Sequence, residues 1–200
     1  MKKTFGIIGA GNIAQTVAKH LSSIDYSVTI SNSRGVESLK SVVGSLGNGV
    51  KAASAAEAAK CDIVLLALPW SSLSALTSLT DWTGKYVVDA TNHFVTYDPD
   101  FKLADLGDKT GSEVVQQYVP GAKVVKAFNT LSFKILAADP RQANGQRVLF
   151  VSGDDVNFKK EVMDMIKSLG FAPVDLGSLA DGGRLQQVKG TLAGLNLIQL

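Results

Sequence analysis

Two hundred residues with a formal net charge of +2 suit one domain, or one domain with a small appendage, and can bury a sizeable core. The near-neutral balance, without any run of basic residues, argues against nucleic-acid or anionic-membrane binding, and no apolar run is long enough for a membrane span. The single cysteine, Cys61, rules out an intrachain disulfide and fits a packing role in a reducing cytoplasm, while His20 and His93 lack ligand spacing, so no structural metal is expected.

Met1-Lys2-Lys3 before an apolar run superficially resembles a secretory leader, but Gly6, Gly9, Gly11 and Asn12 interrupt it. Phe5-Gly6-Ile7-Ile8 reads instead as a buried parallel strand. After it, Ile13, Val17 and Leu21, with Ala14 and Ala18 beside them, recur as on one face of a helix. Between strand and helix stands Gly9-Ala10-Gly11-Asn12-Ile13-Ala14. In a dinucleotide-binding turn the first glycine allows the bend, the second lets backbone N–H groups approach the pyrophosphate, and a third small residue lets helix and strand touch. Gly9, Gly11 and Ala14 fill those places, and the positive end of the helix dipole favours the same anion.

A second strand, Tyr26 to Ser31, runs into Ser31-Asn32-Ser33-Arg34-Gly35. A site preferring NAD would put Asp or Glu at that strand end to hold the ribose 2′-hydroxyl. Two hydroxyls, an amide and a guanidinium stand there instead, donors suited to a 2′-phosphate, so the expected cofactor is NADP(H). The same Ser and Asn residues could equally cap the helix that starts near Gly35.

Val36, Leu39, Val42, Val43 and Leu46 form a helical stripe closed by Gly47-Asn48-Gly49, and a short strand, Val50 to Ala52, and a short helix, Ala53 to Lys60, follow. The fourth strand, Asp62 to Leu68, ends at Pro69-Trp70 with a Ser-Ser pair able to cap the next helix. Ligands of open α/β sheets lie beyond the carboxyl ends of the strands, so Leu68, Pro69 and Trp70 should border the dinucleotide, although Trp70 would serve equally as a core aromatic. Lys85 to Asp89 is the fifth strand, followed by Ala90-Thr91-Asn92-His93. Phe94 to Gly111 has little periodicity and either covers a site or is a surface loop.

A helix over Ser112 to Val119, a sixth strand over Lys123 to Phe128 with Asn129-Thr130 at its end, and a helix opened by Ser132 come next. Arg147 to Ser152, the helix carrying Phe158, Val162, Met165, Ile166 and Leu169, and Ala172 to Asp175 add a βαβ unit. A last helix from about Gly183 would align Leu185, Val188, Leu192 and Leu195 in an apolar seam, packed on its own sheet or on a second subunit in a homodimer. The expected fold is α/β: a Rossmann-type, doubly wound, mostly parallel sheet with an added C-terminal βαβ unit and terminal helix. Residues 1–200 would form one NADP-binding domain, with about 140–200 as its extension.

Ile8-Gly-Ala-Gly-Asn-Ile, Ser31-Asn-Ser-Arg-Gly35, Leu68-Pro-Trp70, Val88-Asp-Ala-Thr-Asn92, Lys126-Ala-Phe-Asn-Thr130, Gly153-Asp-Asp155 and Pro173-Val-Asp-Leu-Gly177 occur in this order over nearly the whole chain. Together they resemble the deazaflavin (coenzyme F420)-dependent NADP oxidoreductase family, whose fold also forms the cytoplasmic domain of the STEAP metalloreductases. The resemblance implies that Ala10 to Ile13 hold the pyrophosphate and Ser31 to Arg34 the 2′-phosphate. It also implies that Leu68 to Trp70, Asn92 and Ala127 line the ribose and nicotinamide side. His93 departs from the family, many members of which have Pro there.

Hydride transfer to a flavin-like acceptor needs two aligned ring systems and exclusion of water more than a nucleophile or dedicated acid, so the lack of a triad or Lys/Tyr base is no objection. The expected function is hydride transfer between NADP(H) and a small-molecule acceptor, a deazaflavin, flavin or relative, with His93 and Asn129 as candidate hydrogen-bond partners near the nicotinamide. The rival readings are an imine or ketone reductase similar to pyrroline carboxylate reductase, and an NADPH-binding sensor or electron-input module without turnover.

Overall fold

In the computed structural model, which describes residues 3–200, ten strands join in one hydrogen-bonded sheet. Met1 and Lys2, the head of the leader-like start, lie outside the described residues. Six strands, β1 (Phe5–Ile8), β2 (Val28–Ser31), β3 (Val50–Ala52), β4 (Ile63–Leu66), β5 (Tyr86–Asp89) and β6 (Lys123–Lys126), run parallel in the order β3-β2-β1-β4-β5-β6. The order reverses beside β1, and that switch point is where open α/β sheets leave a crevice for a dinucleotide.

Alternation along β1 and β4 divides the core between the two faces of the sheet. Ile7 and Leu65 face a cluster with Val17 and Leu21 of α1 (Asn12–Ser23), while Ile8 and Leu66 face one with Leu73, Trp82 and Val115. Trp82 is buried with its indole N–H donated to the Leu76 carbonyl at 2.8 Å. The stripe after Gly35 begins as a 3-10 turn, Val36–Leu39, and continues as α2 (Lys40–Leu46). The alanine-rich segment is shorter than its composition suggests. Helix α3 (Ala55–Ala58) starts at a capping box in which Ser54 and Glu57 satisfy each other's backbone N–H groups. After Pro69 the chain forms a 3-10 helix, Trp70–Ser78, so the Ser-Ser pair lies inside its first turn rather than capping it.

The segment from Phe94 stays irregular until α4 (Gly111–Tyr118), whose N-cap is Thr110. Strand β6 ends two residues earlier than the apolar run, because Phe128 adopts a left-handed φ of +64° and breaks the extended path. Helix α5 (Phe133–Ala137) follows, then a tight hairpin of β7 (Arg141–Gln142) and β8 (Gly145–Gly153) through Ala143 and Asn144, both at positive φ. The expected βαβ unit is present: β8, α6 (Val156–Ser168) and β9 (Ala172–Asp175), with β9 parallel to β8 and β8 antiparallel to β6.

The terminal helix differs from expectation. It begins near Gly183 as α7 (Asp181–Gln186) but stops at Gln186. Lys189 takes φ +63°, the Leu192 N–H returns to the Leu185 carbonyl at 3.0 Å, and a β-carbon on Gly190 would lie 2.4 Å from that same oxygen. The fold-back therefore needs glycine, and it scatters Leu185, Val188, Leu192 and Leu195 instead of aligning them. A homodimer built on a continuous helical seam loses its basis. The chain finishes as β10 (Ile198–Gln199), antiparallel to β8.

Gly6 sets the spacing of α3 over β1, since a β-carbon there would lie 1.9 Å from the Ala58 carbonyl oxygen. Gly6→Ala is expected to destabilise the fold by about 1–3 kcal/mol, as overpacking does. An unchanged midpoint in urea denaturation would refute this account of the β1–α3 contact.

Candidate cofactor and acceptor site

After β1 the chain turns at Gly9, where φ is +119° and a β-carbon would stand 2.0 Å from the Ala67 carbonyl oxygen. Only glycine meets both demands. Gly11 is exposed, serves as the N-cap of α1, and has nothing within 4 Å of its side-chain position. That open space lets a ligand approach the backbone. Asn12 is exposed, Ile13 packs against the core, and the Ala10 carbonyl accepts from Gln15 Nε2 at 2.8 Å, which pins the loop to the helix. Ala14 is fully buried between α1 and the sheet. Among the described residues no acid stands in the first turn of α1, so the positive end of the helix meets no carboxylate of its own. Gly9, Ala10, Gly11, Asn12 and Ile13 thus share one loop whose shape and field fit a pyrophosphate.

At the end of β2 the expected donors separate into two groups. Ser31 is fully buried and its hydroxyl donates to the Ile7 carbonyl at 2.9 Å, so it is a strand-locking group and not a phosphate donor. This corrects the expectation, and the reason is register: Ser31 pairs with Ile8 inside the sheet. The Asn32 side chain accepts from the Arg34 N–H at 3.0 Å and donates to Ser38 Oγ at 2.9 Å, folding the loop as an Asx turn. Ser33 and Arg34 are left exposed at its tip, and among the described residues the Arg34 guanidinium has no partner.

Beyond β4, Pro69 is exposed and Leu68 half-buried, while the Trp70 ring meets the His93 imidazole edge-on at 5.9 Å between centroids. The structure therefore joins two residues that the sequence left apart. Beneath them lies a buried ion pair, Asp89 and Lys126, opposite each other in the β5–β6 register. Asp89 Oδ2 accepts from Lys126 Nζ at 3.1 Å and from Ser112 Oγ at 2.5 Å, and Oδ1 accepts the Thr91 N–H at 2.8 Å. Lys126 Nζ also donates to the Thr91 carbonyl at 3.0 Å, so the pair fixes the loop that carries Asn92 and His93.

Asn129 does not keep its candidate role. Its Nδ2 donates to Asn92 Oδ1 at 3.2 Å and the Gln186 carbonyl at 2.7 Å, and its Oδ1 accepts from Gln186 Nε2 at 3.0 Å. Those bonds make it a clamp among β6, the β5 loop and α7. Asn92 donates back to the Asn129 carbonyl at 3.1 Å and remains half-buried. Ala127 is fully buried with its N–H on the Asp89 carbonyl at 3.1 Å, so neither its side chain nor its N–H is available to line the nicotinamide side.

His93 is 6% exposed, and among the described residues its Nδ1 and the buried Thr91 Oγ1 have no hydrogen-bond partner. Burial chiefly, then the charges of Lys126 and Lys189, hold its pKa below the ordinary histidine value, which keeps the ring neutral near pH 7. Sequence reasoning missed Gln186, Gln187 and Gly111 in this region. The Asp89–Lys126 pair did leave a signal, an acid and a base at the ends of adjacent core strands.

The family model for coenzyme F420-dependent NADP oxidoreductases matches residues 4–93. A solved structure of a hypothetical protein from Sinorhizobium meliloti is 46% identical, covers 100% of this chain and 97% of its own, and superposes with a TM-score of 0.92. An Arthrobacter protein, assigned provisionally as an F420-dependent NADP reductase, is 29% identical over 89% of this chain and 86% of its own, with a TM-score of 0.77. The rat metalloreductase STEAP3 is 30% identical over 92% of this chain, which spans 36% of the longer protein.

Lys126→Met would leave Asp89 charged and buried without its partner, and an equilibrium stability loss of about 3–5 kcal/mol is expected. Below the ordinary histidine pKa of 6.5 the unfolded chain takes up a proton that folded His93 refuses, so stability contributed by this residue is present above that pH and lost as pH falls below it. His93→Leu should flatten this acid limb, and equal slopes for both proteins in urea midpoints between pH 5 and 7.5 would contradict the assignment.

Proposed function

The chain belongs to the coenzyme F420-dependent NADP oxidoreductase family, and from that membership and the form of its cleft we propose that it oxidises NADPH by hydride transfer to a deazaflavin or flavin. NADPH supplies the hydride, and a proton from solvent completes the reduction of the acceptor. The protein's part is to hold two ring systems together and keep water out, which asks for walls and hydrogen bonds more than for a nucleophile. Gly9 to Ile13 hold the pyrophosphate, Trp70 and Asn92 border the nicotinamide side, and the lone Cys61 thiol suits work in the cytoplasm. Residues 1–200 act as one unit in this scheme.

The observation that carries the reading is the tip of the β2 loop, where Ser33 and Arg34 stand exposed and no acid occupies the ribose position. A 2′-phosphate there would accept charge-assisted bonds from both, and a ribose hydroxyl would find no carboxylate.

Fluorescence titration with NADPH and NADH tests this directly. The native protein should prefer NADPH, and Arg34→Ala should weaken NADPH binding by about 10- to 100-fold, the value of a hydrogen bond to a charged group, while NADH binding stays the same. Equal affinity for both cofactors in the native protein would overturn the 2′-phosphate seat. Oxidation assays against deazaflavin, flavin and ferric chelate then test the acceptor, and tight NADPH binding without turnover on any of them would mark a binding or electron-input module.

A further inference from the structure

The first N–H of α4 is closed by a side chain of the C-terminal segment. Gly111 donates to Gln187 Oε1 at 3.0 Å, while the Glu113 carboxylate takes only the neighbouring Thr110 N–H at 2.7 Å. A β-carbon placed on Gly111 would lie 3.8 Å from His93 Nδ1 and 3.9 Å from both Gln187 Oε1 and Trp70 Cη2. The Trp70 edge, His93 Nδ1 and Gln187 Oε1 thus border the open side of Gly111.

His93 Nδ1 is buried there with no partner among the described residues. A buried imidazole nitrogen left unpaired is costly, and one bond to an incoming group would relieve it. Lys189, exposed two residues beyond Gln187, adds to the lowering of the His93 pKa by its charge, after burial and Lys126. Gln187 itself is half-buried and lies just past the end of α7, its backbone N–H on the Gly183 carbonyl at 2.9 Å and its side-chain oxygen on the Gly111 N–H.

We propose that the Gly111 N–H and His93 Nδ1 form a subsite for an sp² oxygen of the hydride acceptor, a ring carbonyl or a carboxylate, and that Gln187 Oε1 fills it until the acceptor displaces it. Naming the ligand as the acceptor rests on the function proposed above. With the imidazole proton on Nδ1, an oxygen that reaches both groups accepts two bonds where Gln187 Oε1 accepts one. His93 and Gln187 then determine acceptor specificity without touching the phosphate seat.

The test uses the ring signals of the two histidines in proton–nitrogen spectra, assigned with His20→Gln, during titration with unreactive probes, with and without NADP⁺. Lumichrome offers ring carbonyls and pyrrole-2-carboxylate offers a carboxylate. The His93 signal should move with one of them, which identifies the oxygen. Gln187→Ala should tighten that probe by about three- to tenfold, the worth of one competing hydrogen bond, and Gln187→Leu should do the same while preserving side-chain volume. No His93 response to either probe, or probe binding that is unchanged or weaker in both Gln187 variants, would overturn the subsite. The probes undergo no hydride transfer, so this result is separate from whether NADPH turns over.

Discussion

At the carboxyl ends of β5 and β6 a carboxylate and an ammonium meet where water does not reach them. Such a pair is expensive to bury and holds only if its remaining hydrogen-bond capacity is filled. Asp89 and Lys126 fill it with the structures that make the cleft: the Thr91 N–H and carbonyl, and the Ser112 hydroxyl in the first turn of α4. The carbonyl of Lys126 in turn receives Gln186 Nε2 at 3.2 Å, which brings α7 to the same point. The path of the β5 loop, the start of α4 and the docking of α7 are thus set by one electrostatic contact, and the end of the crevice beside Asn92 and His93 takes its shape from it.

The glycine-turn end of the crevice relies on steric economy instead. At Gly6 and Gly9 the backbone oxygens of Ala58 and Ala67 come closer than any side chain would allow. The two ends therefore respond to different insults: added volume disturbs the first, and loss of a charge disturbs the second.

Much of this was legible in the sequence. The strand, glycine turn and helix of the first twenty-odd residues have local causes, and buried strands such as Ile63 to Leu66 announce themselves by continuous apolar character. The added unit after residue 140 was equally plain, because Phe158, Val162 and Ile166 mark one helix face. What escaped was decided by distant partners. Ser31 looks like a donor until its place in the sheet is known, and Asn129 looks like a ligand until Gln186 arrives from 57 positions away to occupy it. The leucine spacing near the end was a helical period cut short where Gln187 turns extended, after which the left-handed Lys189 and the close approach at Gly190 fold the chain back.

The inward hydroxyl of Ser31 has a consequence for how this protein can change over time. Strand β2 keeps its own seal on β1, and in the function proposed here cofactor discrimination falls to the exposed tip residues Ser33 and Arg34, held in shape by Asn32. Selection acting on the choice between two nicotinamide cofactors can therefore work on a surface turn whose substitutions scarcely affect the core, while the strand beneath it evolves under packing constraints alone.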